Sequence, residues 1–234
     1  MKIPSREKNF VNSFSILTGP IMERSKKISF IATTLQELYP DTHTFLEYQK
    51  DYELLFATIL SAQATDTSVN EATSRLFKEC PTLDDYTIDN QDLILSCIKK
   101  VGLGKVKCQY LIKTAKILKE KYHYVLPKDR KTLMSLPGVG FKTSGVVLAE
   151  LYDEPYIPVD THVYRVSHRL GIVNDKLSPE ETEGALERLF KGHHMIHLHR
   201  QFILLGRNIC LAKKEQCEIC PFKDICKYYA KKKR

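Results

Sequence analysis

Residues 133–168 read LMSLPGVGFKTSGVVLAELYDEPYIPVDTHVYRVSH. The run opens with a short helical segment, 132–136, which Pro137-Gly138-Val139-Gly140 closes. A second segment, Lys142–Tyr152, spaces Val146, Val147, Ala149 and Leu151 as a buried helix does. Two glycines flanking one apolar residue let the backbone turn tightly and approach another surface. The amides that open the second helix have no partner within it and suit a phosphate oxygen. Helix, PGVG turn and helix therefore make a hairpin able to hold a nucleic-acid backbone without reading bases. The same pattern also serves as an ordinary tight turn between packed helices.

Two residues sharpen the reading. Lys142 falls in the first turn of the second helix, where the positive end of the dipole favours a neutral, nucleophilic amine. Asp160 precedes Thr161–Leu170, whose Val163, Val166 and Leu170 repeat at helical spacing, so it reads as a helix N-cap. The helix 142–152 is about 15 Å long. The linker 153–159, held extended by Pro155 and Pro158, spans up to about 23 Å and can bring Asp160 back beside Lys142. An amine and a carboxylate at two converging helix N-termini form a candidate catalytic pair.

LPGVGFKTSGVVL followed by VDTHVYRVSHRLG resembles the helix-hairpin-helix and Gly/Pro–Asp motif of DNA glycosylases. With LLFATILSAQATDTSVN upstream and four cysteines near the C-terminus, the chain most resembles the endonuclease III family, collinearly over about 25–228. Phe141 stands where that family commonly has a basic residue, and Gly145 interrupts the helix at a cost of about 1 kcal/mol relative to alanine.

Composition agrees with a polyanionic partner. The chain has 234 residues, 43% apolar and 27% charged, with a net charge of +8. No apolar run is long enough to span a membrane. The excess charge is local: residues 97–131 hold eleven Lys or Arg, Lys105 among them, against Glu120 and Asp129. That segment carries +9 in a chain of +8, so the rest sums to −1. A DNA-facing surface has this distribution, as does a solvated lysine-rich helix face.

Further helices are expected at 23–39, 50–61, 67–77 (capped by Asp66), 89–101, 106–122, 180–190 and 194–211, with no convincing strand. The fold class is all-α. Residues 1–22 read as a flexible extension, with Met22 as an alternative start. The resemblance implies two helical lobes: a six-helix domain at 44–154, and a discontinuous domain of 23–43 plus 155–234. The substrate cleft would lie between them, with Lys142 and Asp160 on opposite sides.

Gln63 and Leu103 fall in turns, where most residues are merely structural. A base inside a duplex must be extruded before an enzyme can reach it. The resemblance maps the gap-filling residue onto Gln63 and an apolar wedge onto Leu103.

Seven cysteines divide into two groups. Cys80, Cys97 and Cys108 lie among apolar helix positions and read as buried thiols. Cys210-x6-Cys217-x2-Cys220-x5-Cys226 is a metal-binding pattern, and thiolates alone do not decide between zinc and an iron–sulfur cluster. The resemblance implies a structural [4Fe–4S] cluster, with Lys213 and Lys214 in its first loop approaching phosphates. With no secretory signal, a reducing interior is expected. The bacterial cytoplasm is the favoured compartment; an organelle or nucleus is the alternative.

The resemblance implies a monomeric, bifunctional DNA glycosylase and abasic-site lyase acting on duplex DNA that contains oxidised pyrimidines or abasic sites. Gly138, Val139 and Gly140 would grip the strand, Lys142 would attack the sugar and Asp160 would assist it. The alternatives are a mismatch-specific thymine glycosylase and a non-catalytic helix-hairpin-helix DNA-binding protein.

Overall fold

Every regular element among the described residues, 23–233 of a computed structural model, is helical. The expectations for the N-terminal extension and Met22 fall outside these residues. The helices are α1 (Arg24–Leu38), α2 (Asp51–Ser61), α3 (Asp66–Glu79), α4 (Gln91–Ile98), α5 (Gly104–Tyr122) and α6 (Arg130–Met134). They continue as α7 (Phe141–Tyr152), α8 (Thr161–Leu170), α9 (Pro179–Leu189), α10 (Met195–Asn208) and α11 (Lys227–Lys232). Short 3-10 turns lie at Leu83–Asp85, Cys217–Ile219 and Lys223–Ile225.

Local chemistry sets the ends. Ser178 and Glu181 form a reciprocal capping box on α9, with Pro179 in its first turn. Asp129 accepts from the Thr132 amide at 2.8 Å and starts α6 at Arg130, earlier than the apolar pattern suggests. The expected cap of α3 is corrected: Thr65 caps it, accepting from the Ser68 amide at 3.2 Å. Asp66 is instead the first helical residue, and Arg207 takes its carboxylate at 2.5 Å. Helix α10 stops at Asn208, short of the expected 211, where the Cys210 amide reaches back five residues to the Leu205 carbonyl, breaking the four-residue pattern that the Ile209 amide still keeps.

The buried apolar residues fall into two sets. The first surrounds α2, buried along its length from Glu53 to Leu60, and draws on α3 to α7. A helix that is apolar on all sides belongs at the centre of a core. The second set unites α1 with α8, α9, α10 and the cysteine-rich loop. From α1 the chain thus leaves the second core, builds the first, and returns after α7. Helices α8 and α10 approach closely because Gly206 has no side chain; a Cβ there would lie 2.9 Å from that of His162.

Helix α7 joins the two cores. Val147 and Leu148 bury it in the first. Glu150 pairs with Arg200 of α10, which also donates to the Thr42 carbonyl at 2.9 Å. Arg130 of α6 pairs with Glu183 of α9 and lies over the rings of Phe141 and Tyr156, at 4.0 and 3.9 Å. A side chain at Gly145 would run into the Arg130 guanidinium and sit 3.3 Å from Pro158. The helix-weakening glycine therefore makes room for a buried charge.

Removing one partner of such a pair strands the other. Glu150→Gln is expected to cost about 3–5 kcal/mol, read by urea unfolding. A pH effect comes from Glu187, beside Glu183. Burial, then the Glu183 charge, pushes its pKa from 4.5 up to about 7. The folded state therefore holds this proton after the unfolded chain has lost it. Stability from this group falls as pH rises from about 4.5 to about 7. Glu187→Gln should remove that slope and gain stability relative to wild type near pH 8. Unfolding curves across that range check it.

Candidate active site and metal centre

The hairpin is α6, the Pro137–Gly140 turn and α7. Gly138 has φ +80°, and a Cβ there would lie 2.6 Å from the Tyr110 ring. Thr114 of α5 donates to the Pro137 carbonyl at 3.1 Å, so α5 backs the turn. Gly138 and Gly140 are exposed. Val139 is only 6% exposed and its amide donates to the Leu136 carbonyl. Its side chain anchors the turn inward, and the flanking glycines are what the hairpin presents.

Lys142 is exposed in the first turn of α7, whose N-cap, Gly140, offers no side-chain acceptor. It makes no ion pair among those found in the described residues. Asp160 is half-buried at the N-cap of α8, where Oδ1 accepts from the His162 and Val163 amides at 2.8 and 2.7 Å. Capping fixes the carboxylate's position and leaves Oδ2 to the site.

The two residues meet electrostatically at His199, which is 5% exposed on α10. Burial pushes its pKa down to about 4; Asp160 pulls it up, and Lys142 pushes it down. One imidazole thus senses both groups, and α10 packs against both α7 and α8. Its Nδ1 is buried without a hydrogen-bond partner among the described residues. In the sequence, His193, His194, His197 and His199 look alike, and no local signal marks the last as the one beside the lysine and aspartate.

Gln63 and Leu103 are both exposed and both left-handed, with φ +56° and +61°. Such conformations cost a non-glycine residue roughly 1–3 kcal/mol and persist where the surroundings impose them. The loops are neighbours: the Gln63 carbonyl lies 3.5 Å from where a Gly102 Cβ would stand. Leu103 is 58% exposed, and Lys105 beside it is also exposed.

The basic segment needs correction. Lys107 is 3% exposed, and Arg130 is enclosed by Glu183 and two rings. Lys100 and Lys119 are paired with Glu71 and Asp84. The outward excess is smaller than the sequence count suggests, because a buried cation is spent on internal acceptors.

Cys80, Cys97 and Cys108 are buried in the first core. Cys210, Cys217, Cys220 and Cys226 line one pocket against α8 and α10. Arg169 reaches in from α8, donating to the Cys210 sulfur at 3.5 Å and the Leu211 carbonyl at 2.7 Å. Burial pushes the Cys220 thiol up to about 12. Four thiols facing one largely apolar pocket, with a cation nearby to offset thiolate charge, fit a tetracysteinyl cluster. Lys213 and Lys214 are exposed on its first loop.

This geometry defines a class, the helix-hairpin-helix enzymes of base excision repair. The pattern described as HhH-GPD superfamily base excision DNA repair protein matches residues 56–192, and the iron-sulfur binding domain of endonuclease III matches 210–226. Endonuclease III of Rickettsia felis is 43% identical over 190 residues, 81% of this chain and 89% of that protein. The Escherichia coli K12 enzyme is 38% identical over 210 residues, 90% and 99% respectively. A trapped endonuclease III–DNA covalent intermediate superposes with TM-score 0.85 at 36% identity, covering 91% of this chain and all of that one. A thermostable thymine-DNA glycosylase, at 23% identity and TM-score 0.79, shares the fold.

The chain belongs to the endonuclease III family. It is a DNA glycosylase and abasic-site lyase of base excision repair, and it carries a [4Fe–4S] cluster. No described helix is long and apolar enough to cross a membrane. Cys220→Ser is expected to lose the visible absorption near 400 nm and to lower the unfolding midpoint, with spectroscopy and thermal unfolding as the checks.

Proposed function

We propose that the chain removes oxidised pyrimidines from duplex DNA and cleaves the resulting strand through an imine on Lys142. The observation that carries this reading is an exposed lysine without an ion pair among the described residues, at an uncapped helix N-terminus, whose charge acts on the same buried imidazole, His199, as a fixed carboxylate. A glycosylase that only activates water has no need of that amine.

The neutral Lys142 amine attacks C1′ of the deoxyribose as the C1′–N bond breaks and the base leaves with a proton. Opening of the sugar gives a protonated imine between Nζ and C1′. The imine acidifies the C2′ proton. Its loss forms the C1′–C2′ enamine, whose electrons break the C3′–O bond, so the strand parts 3′ to the lesion. Asp160 accepts the proton that frees the lysine and offsets positive charge building on the sugar. The paired His162 and Val163 amides hold the Asp160 carboxylate in place.

Gly138 and Gly140 hold the strand by backbone, Lys105, Lys213 and Lys214 contact phosphates, and Gln63 and Leu103 enter the gap left by the extruded nucleotide. Cys210, Cys217, Cys220 and Cys226 ligate the cluster, whose role is structural because the protein fills every ligand position. The enzyme works as a monomer in the bacterial cytoplasm, in line with its bacterial relatives.

Borohydride reduction on a duplex with one abasic site tests the mechanism. Wild type should give a covalent adduct and Lys142→Ala none, while still binding DNA. Asp160→Asn should slow strand cleavage by about 10²–10⁴-fold, the range for a lost acid–base group. An adduct that survives in Lys142→Ala would move the nucleophile elsewhere. Release of thymine from mismatches with oxidised pyrimidines left intact would replace the substrate class.

A further inference from the structure

Lysine is rarely buried without a carboxylate partner, yet Lys107 is 3% exposed. Its ammonium donates to the carbonyls of Leu60 at 2.9 Å and Ala62 at 2.5 Å, the C-terminal end of α2. Burial lowers its pKa from the ordinary lysine value. A cation suits a helix C-terminus, where carbonyls lack intrahelical partners. The main-chain amide of the same residue donates to the Leu103 carbonyl at 3.0 Å. That amide bond is the first turn of α5, which Leu103 caps, so the Lys107 side chain ties the segment before Gln63 to the start of the helix that follows Leu103.

Both loop tips are left-handed, although neither is glycine. Conformations of that kind need external restraint, and the Lys107 side chain supplies one by joining the segment before Gln63 to the helix that begins at Leu103. Tyr110 and Thr114, further along α5, hold the hairpin turn. Helix α5 therefore carries both probing loops and the hairpin in one register.

We infer that Lys107 is a positioning residue that locks the Gln63 and Leu103 loops into a single strand-parting unit. The inference rests on the reading that these two residues enter the duplex. It assigns Lys107 no contact with DNA and no chemical step. Its removal would loosen the unit that fills the gap opposite an extruded nucleotide, leaving Lys142 and Asp160 in place. A single-stranded abasic site has no partner strand and needs no such filling.

Single-turnover cleavage by the cluster-loaded enzyme separates the possibilities, with Lys107→Met compared with wild type on duplex and single-stranded abasic oligonucleotides. The duplex rate should fall at least about tenfold and the single-stranded rate less than about twofold. Lys107→Arg, which keeps donors for both carbonyls, should recover part of the duplex rate. Equal loss on both substrates would make Lys107 merely structural, and an unchanged duplex rate would sink the idea outright. If Lys107→Met loses its cluster or unfolds, Lys107→Gln, which keeps a donor for one carbonyl, decides by the same two rates. Failure of wild type itself to cleave abasic DNA would instead defeat the lyase reading.

Discussion

Two guanidinium groups withdrawn from water govern how the molecule holds together. Arg130 and Arg200 have side chains 16% and 12% exposed, and each finds its carboxylate on a helix rooted in the other core. A buried charge without a partner costs several kcal/mol, so the cores cannot part without stranding four charged groups. Apolar contact alone would tolerate small sliding of one core over the other. Paired, hydrogen-bonded charges tolerate much less, because their energy depends on direction as well as distance. Helix α7, which carries Lys142, runs through the middle of this arrangement.

Much of this was legible in the sequence. The helices follow from apolar spacing, the hairpin from PGVG, and the metal pocket from four cysteines in 17 residues. Asp160 reads as a cap from its position alone, and capping is what holds it at the site. Charges that turn inward were not legible. Lys107 sits in a lysine-rich amphipathic run like its neighbours, and its acceptors lie 45 and 47 residues away. Arg130 shares its fate: its rings and carboxylate come from three separate segments. Periodicity reports which residues face a core, but it does not show that a core face has carbonyls or a carboxylate waiting for a cation. His199 fails for the same reason, since its neighbours come from α7 and α8.

The metal pocket and the carboxylate occupy opposite ends of one short helix. Asp160 caps the N-terminus of α8; Arg169, in its last turn, fastens the cysteine-rich loop, and its carbonyl lies 3.2 Å from the Cys226 sulfur. The loop also contributes Phe222, fully buried in the second core. The cysteine-rich loop and the second core therefore brace α8 together, from its last turn to the carboxylate at its first.

Helix α7 can be regarded as a rigid rod, free in principle to slide along its axis and to roll about it. A slip of one residue would move Lys142 about 1.5 Å along the axis and about 100° around it, enough to turn its side chain to another face of the helix. Gly145 abuts the Arg130 guanidinium, and Glu150 is pinned by Arg200. Five residues separate these fastenings, a little over one turn, so they lie off the axis at different heights and nearly different sides. One fastening would leave the rod a pivot. A close-packed stop at Gly145 and an ion pair at Glu150 together resist both slide and roll, and so hold the start of the rod, where Lys142 lies.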